Sequence, residues 1–98
     1  MTINKKLEAA KLELLLEGRL DTTTSPMLEA ELKQSIEGIT ELVFDFEKLE
    51  YISSAGIRIL LAAQKIMNKQ GSMVVKNVNE IVAEVFEVTG FSDILTIE

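Results

Sequence analysis

Leu42-Val43-Phe44-Asp45-Phe46, then Glu47-Lys48-Leu49-Glu50, then Tyr51-Ile52-Ser53-Ser54-Ala55-Gly56-Ile57-Arg58-Ile59-Leu60-Leu61, is the stretch around which the chain is organised. An apolar run with two phenylalanines reads as a buried strand, because a strand covered on both faces shows little polar alternation. The polar tetrapeptide Glu47–Glu50 reads as a short connection, and a helix opens at the serines. Its apolar positions Ile57, Leu60, Leu61 and Met67 recur at helical spacing. Either Ser53 or Ser54 fits the N-cap, where a hydroxyl satisfies an orphan amide donor. A serine is thus presented at the end of a strand and on the N-terminus of a helix. Free N–H groups and the helix dipole favour an anion there, so a phosphate could be accommodated without breaking the fold.

Working outward, Thr22-Thr23-Thr24-Ser25-Pro26 starts an earlier helix, with Ser25 as N-cap and Pro26 at the first helical position. Leu28, Leu32 and Ile36 form its buried stripe, and Gly38 suits the residue just past its end. Downstream, the central helix runs to Lys69-Gln70 with Gly71 as its stop, and Ser72–Lys76 reads as a short strand. Asn79 caps a third helix carrying Ile81, Val82, Val85 and Phe86. Gly90 then lets Phe91 fold back on Phe86. Asp93–Ile97 has the composition of a short edge strand. Residues 1–17 stay open: Leu7–Glu13 has strong helix propensity, whereas Leu12, Leu14 and Leu16 alternate with charge as in a half-buried strand. Strands alternating with helices predict parallel pairs joined by right-handed crossovers.

At 98 residues the chain is expected to be one domain, residues 1–98, burying on the order of 60% of its unfolded surface. Hydrophobic residues make up 47%, too many for a disordered chain. No apolar run reaches the roughly 18 residues needed to span a bilayer, and no signal-peptide core is evident, so a cytoplasmic location without membrane insertion is expected. With no cysteine and no histidine, the chain lacks disulfides, thiolate catalysis, the usual zinc ligands and the common general base. No metal, no cofactor and no catalytic residues are expected. A net charge of −6 argues against nucleic acid and suits a partner with a basic face.

The serine loop has competing readings. A Gly-x-Ser-x-Gly nucleophile elbow would need glycine where Ile52 stands, and a triad would need a histidine. A phosphate-cradling loop would need more glycines and a lysine before the helix, which Gly56-Ile57-Arg58 does not provide. The plainest reading is that Ser53 and Ser54 only cap a helix. For Glu17-Gly18-Arg19-Leu20-Asp21 the plain reading is a turn with a satisfied Asp contact.

Three pieces occur together, in order: Gly18-Arg19-Leu20-Asp21, Ser53-Ser54-Ala55-Gly56-Ile57 and Thr89-Gly90-Phe91. In this the chain resembles STAS domains of the anti-sigma factor antagonist type, most clearly from Gly18 to Phe91. Members of that family typically read Asp-Ser-Ser/Thr-Gly-Leu at the loop and Gly-Glu-Leu-Asp at the second strand. Here Ser53 stands in place of Asp, Ala55 replaces the second hydroxyl residue, and Arg19 replaces Glu.

The resemblance implies an α/β fold with a mixed, mostly parallel sheet of four to five strands and helices packed on one face. It also favours an N-terminal hairpin, with strands near 2–8 and 11–17. Aligned through Gly56, it places the phosphoacceptor on Ser54 and a partner surface on Asp21, Thr22, Ser53, Ser54, Ala55, Gly56 and Arg58. The implied partners are an anti-sigma factor with serine kinase activity and a PP2C-type phosphatase. The unphosphorylated form would release a sigma factor by binding the anti-sigma factor. The alternative is a constitutive STAS scaffold subunit of a transporter or signalling assembly, with the serine unmodified.

Overall fold

The computed structural model describes residues 1–98. Its elements are β1 (Thr2–Glu8), β2 (Lys11–Leu20), α1 (Ser25–Ser35), β3 (Glu41–Ile52), α2 (Ser54–Gln70), β4 (Ser72–Lys76) and α3 (Glu80–Thr89), followed by a 3-10 turn at Phe91–Asp93. The strands lie side by side in chain order. β1 pairs antiparallel with β2, and the β2–β3 and β3–β4 pairs are parallel. Alternation along the strands turns Leu12, Leu14, Leu16, Leu42, Phe44, Phe46, Met73 and Val75 to one face. There they form one core with Leu28 and Leu32 of α1, Leu60 and Met67 of α2, and Val82 and Phe86 of α3. Phe46 lies between Phe44 and Phe86, with ring centroids 6.0 and 6.5 Å away. The opposite face is more open, and the Lys76–Glu13 ion pair (2.9 Å) crosses it over β3.

The open question at the N-terminus resolves as a hairpin. Glu8 pairs with Lys11 across the two-residue turn Ala9-Ala10, and Ala9 takes a left-handed φ of +52°. The Ala10 carbonyl accepts from the amides of Thr40 (2.9 Å) and Glu41 (3.2 Å), which pins the turn to the start of β3. Tertiary hydrogen bonds thus override helix propensity here.

Four sequence expectations are corrected. Glu47–Glu50 is no connection, because β3 continues without a break to Ile52. Between Leu15 and Glu17, and again between Gly18 and Arg19, β3 carries one more residue than β2. Two such bulges change the spacing of the buried positions from 42, 44, 46 to 46, 49, 52, and the strand loses its period of two. At α1, Thr24 rather than Ser25 holds the N-cap position and makes no side-chain cap bond. The Asp21 carboxylate takes the nearby amides instead. Gly38 has the left-handed φ of +81° but lies two residues past the cap residue Ile36, one later than expected. Asp93–Ile97 forms a turn and one isolated parallel bridge, Val75 with Ile97, not a fifth strand.

The N-cap of α3 and the glycine stops of α2 and α3 are as read. Asn79 caps α3 through the Val82 amide at 2.8 Å, and Gly90 sits at φ +80° with its N–H on the Phe86 and Glu87 carbonyls.

Candidate functional site

Leu20 and Ile52 are register partners, so the residues that follow them, Asp21 and Ser53, leave the sheet side by side at the ends of β2 and β3. The Ser53 amide donates to the Leu20 carbonyl at 2.8 Å and ties the two exits together. Ser53 is the N-cap of α2 and its Oγ accepts from the Gly56 amide at 3.5 Å, a long bond. Ser54 is therefore released from capping. It is exposed at the first position of α2, and that helix runs for 17 residues.

Gly56 sets how closely α2 meets the sheet. A Cβ there would lie 2.7 Å from Leu20 Cγ and 2.9 Å from both Ile52 Cγ1 and Leu20 Cδ2. Leu20 and Ile52 are both 0% exposed. Gly56 is itself buried, so its part in any partner surface is to position the loop. Thr22 and Arg58 are exposed and Ala55 is half-buried; with Ser25, Pro26 and Ile59 they line an open depression between the starts of α1 and α2. The structure thus brings all seven predicted residues to one end of the molecule.

The Asp21 carboxylate divides its oxygens. Oδ1 accepts from the amides of Thr23 (3.0 Å) and Thr24 (3.1 Å). The Thr24 hydroxyl in turn accepts from the Asp21 amide (2.9 Å) and donates to the Arg19 carbonyl (2.8 Å). Oδ2 meets only the Arg19 Nε, at 3.8 Å and exposed to water. The Thr24 amide above all, with the Thr23 amide, the Thr24 hydroxyl and the Arg19 guanidinium, outweighs partial burial and holds this carboxyl below its ordinary value. The charged form is thereby kept at the site.

Two contributors escaped the sequence reading. Arg19 pairs in register with Tyr51, and its guanidinium lies over that ring at 4.7 Å from the centroid. Such stacking holds the cation beside Asp21 without a close ion pair. Thr24 is the other, as the hub of the turn. A cross-strand Arg–Tyr pair becomes visible only once the bulge between Gly18 and Arg19 fixes the register. No cluster of side chains suits a metal ion. No helix is long and apolar enough to cross a membrane.

Comparison with known proteins identifies the family and the fold. Residues 3–98 match the STAS domain family. A Bordetella bronchiseptica protein bearing the name of an anti-sigma factor antagonist, BtrV, is 38% identical over 84 residues, covering 84% of this chain and 72% of the relative. The anti-sigma-B factor antagonist of Bacillus subtilis is 24% identical over 98 residues, covering 99% and 90%. Among solved structures, the anti-sigma factor antagonist SpoIIAA in its unphosphorylated form superposes with a TM-score of 0.78 at 17% identity, covering 99% of this chain and 87% of that one. The phosphorylated form of Bacillus SpoIIAA gives 0.77 at 18% identity, covering 99% and 91%.

Proposed function

This chain belongs to the STAS domain family of anti-sigma factor antagonists, and from that premise we propose that it is a phosphorylation-controlled antagonist whose acceptor is Ser54. In this reading the surface around Asp21, Thr22, Ser54 and Arg58 docks on an anti-sigma factor that is also an ATP-dependent serine kinase. Docking frees the sigma factor. The observation that carries the reading is the division of labour between the two serines. Ser53 caps α2, which leaves Ser54 exposed at the helix N-terminus beside the charged Asp21.

Phosphate transfer to Ser54 Oγ adds about −1.5 to −2 charges at the centre of that surface. The N-terminal amides and dipole of α2 suit a phosphate, so the fold persists and the interface changes. A dianion beside Asp21 must be desolvated on docking and faces the phosphates of the nucleotide that a kinase partner holds, and both effects disfavour the complex. A PP2C-type phosphatase would reset the switch. The chain is then a substrate and a binder, with no catalytic residue of its own. That SpoIIAA is described in both phosphorylation states, each matching this fold, supports the tolerance of the architecture for the modification.

The test is incubation with the cognate kinase and ATP-Mg. One phosphate is expected, on Ser54, and Ser54→Ala should stay unmodified. Phosphate on Ser53, or a modified Ser54→Ala, refutes the assignment.

A further inference from the structure

α3 is apolar over more of its circumference than it buries. Val82 and Phe86 are 0% exposed and form its inner row. One position around the helix, Ile81, Val85 and Val88 form a second row at helical spacing, with Ile81 59% and Val88 79% exposed and Val85 half-buried. Beyond that row come Glu80, Glu84 and Glu87, again at steps of four and three. All three are exposed, and none is among the chain's ion pairs. From Asn77 to Glu98 the chain has five acidic residues, Glu80, Glu84, Glu87, Asp93 and Glu98, and neither lysine nor arginine. Single exposed apolar residues are ordinary on a surface, but Ile81, Val85 and Val88 are contiguous and edged by unpaired carboxylates, which is the arrangement of an interaction patch.

We propose that this outer row of α3 is a second protein-binding face, whose partner presents apolar side chains set among lysines or arginines. Charge chooses the occupant. A second copy of the chain would bring the same glutamates against these, which like-charge repulsion disfavours. An anionic lipid surface is disfavoured for the same reason. A basic partner meets both features at once, with Ile81 and Val88 as anchors and the glutamates steering the approach. The face is carried by α3, whereas the Ser54 end is built from the exits of β2 and β3 and the starts of α1 and α2. The proposal therefore does not depend on phosphorylation of Ser54.

The probe is a synthetic amphipathic helix with leucine on one face and lysine on the other, titrated into the isotope-labelled protein and followed by amide chemical shifts. Shifts should concentrate on residues 80–94. Val88→Ser should weaken binding about tenfold, as expected for one anchor of that size. Glu84→Lys combined with Glu87→Lys should weaken it similarly and flatten its salt dependence. All these positions are exposed, so melting should hardly move. Shifts spread over the acidic residues of every element, or a Val88→Ser variant that binds as the parent does, would overturn the proposal. So would self-association abolished by Val88→Ser, which would make a second copy the occupant. Binding to phosphatidylglycerol vesicles through the same residues would equally overturn it.

Discussion

Gly56→Ala is the sharpest test of how the serine loop is held. The added methyl would come within 2.7–2.9 Å of three carbons of Leu20 and Ile52. Relaxed carbon contacts lie near ~3.5–4.0 Å, so the shortfall is close to ~1 Å on two side chains at once. Both are fully buried and cannot swing into solvent. Overpacking of this kind costs about 1–3 kcal/mol, against which replacing a helical glycine by alanine returns about 0.5–1 kcal/mol. The middle of these ranges is a net loss of about 1 kcal/mol. For a domain of this length that lowers Tm by roughly 4–8 °C.

Thermal melting and urea titration of the variant measure this loss directly. A second variant tests its cause. Leu20→Ala alone should cost about 2–5 kcal/mol. Added to Gly56→Ala, it removes two of the three clashing atoms and leaves Ile52 Cγ1, so the pair should be less than additive by about 1 kcal/mol. A Gly56→Ala protein as stable as the parent, or strict additivity in the pair, would refute the close approach of α2 to Leu20. Relief by a shift of α2 would also move Ser54 relative to Asp21. Slower phosphorylation of the folded variant is the expected companion effect.

Ser54→Asp should weaken anti-sigma binding while Tm changes little, since Ser53 supplies the cap and an acidic residue suits a helix N-terminus; equal affinity by calorimetry would sink the charge mechanism. Asp21→Asn should keep the turn through its remaining oxygen yet lower that affinity by roughly ten- to a hundredfold; unchanged binding, or unfolding with loss of binding, would remove Asp21 from recognition. Asp45 is 8% exposed, and although burial raises its carboxyl, the Asn77 amide above all, then the Glu47 amide, Lys76 and Lys6, hold it below its ordinary value of 3.8. A carboxyl depressed on folding stabilises in full above the unfolded value near 3.8, and that contribution fades as pH falls through the lower folded value. The Asn77 side-chain amide donates to Asp45 Oδ1 at 3.0 Å from a backbone at φ +60°, so Asn77→Ala should destabilise more at pH ~7 than at pH ~3 by urea titration; the same loss at both would show that Asn77 acts only through its left-handed backbone.

The legible parts of this fold were those where local chemistry and tertiary structure agree. Gly71 caps α2 at a place where any Cβ would collide with the Thr40 carbonyl, and glycine after a helical run is what a reader expects there. Asn79 and Gly90 announced both ends of α3 for similar reasons. The second half of β3 was illegible because its bulges are a property of the pairing with β2 and leave no mark on β3 alone. The N-terminal hairpin was half-legible. β1 buries almost none of its residues, and its turn uses alanine at a positive φ where asparagine or glycine would have declared it.

For the site, the sequence posed Asp21 as either a turn residue or a recognition residue. The two readings are compatible, because a carboxylate has two oxygens. Oδ1 is committed to the Thr23 and Thr24 amides, which fixes the direction in which the side chain leaves the end of β2. Oδ2 keeps one distant cation, itself held over Tyr51, and stays open to water. A group whose orientation is settled by one atom and whose charge is offered by the other loses little freedom on docking, and this favours recognition. The same turn starts α1, so the residue that presents the charge also sets the helix beside α2 and its Ser54. The register of Leu20 with Ile52 puts Asp21 next to Ser53. That register follows from two bulges, and no spacing along the chain encodes them.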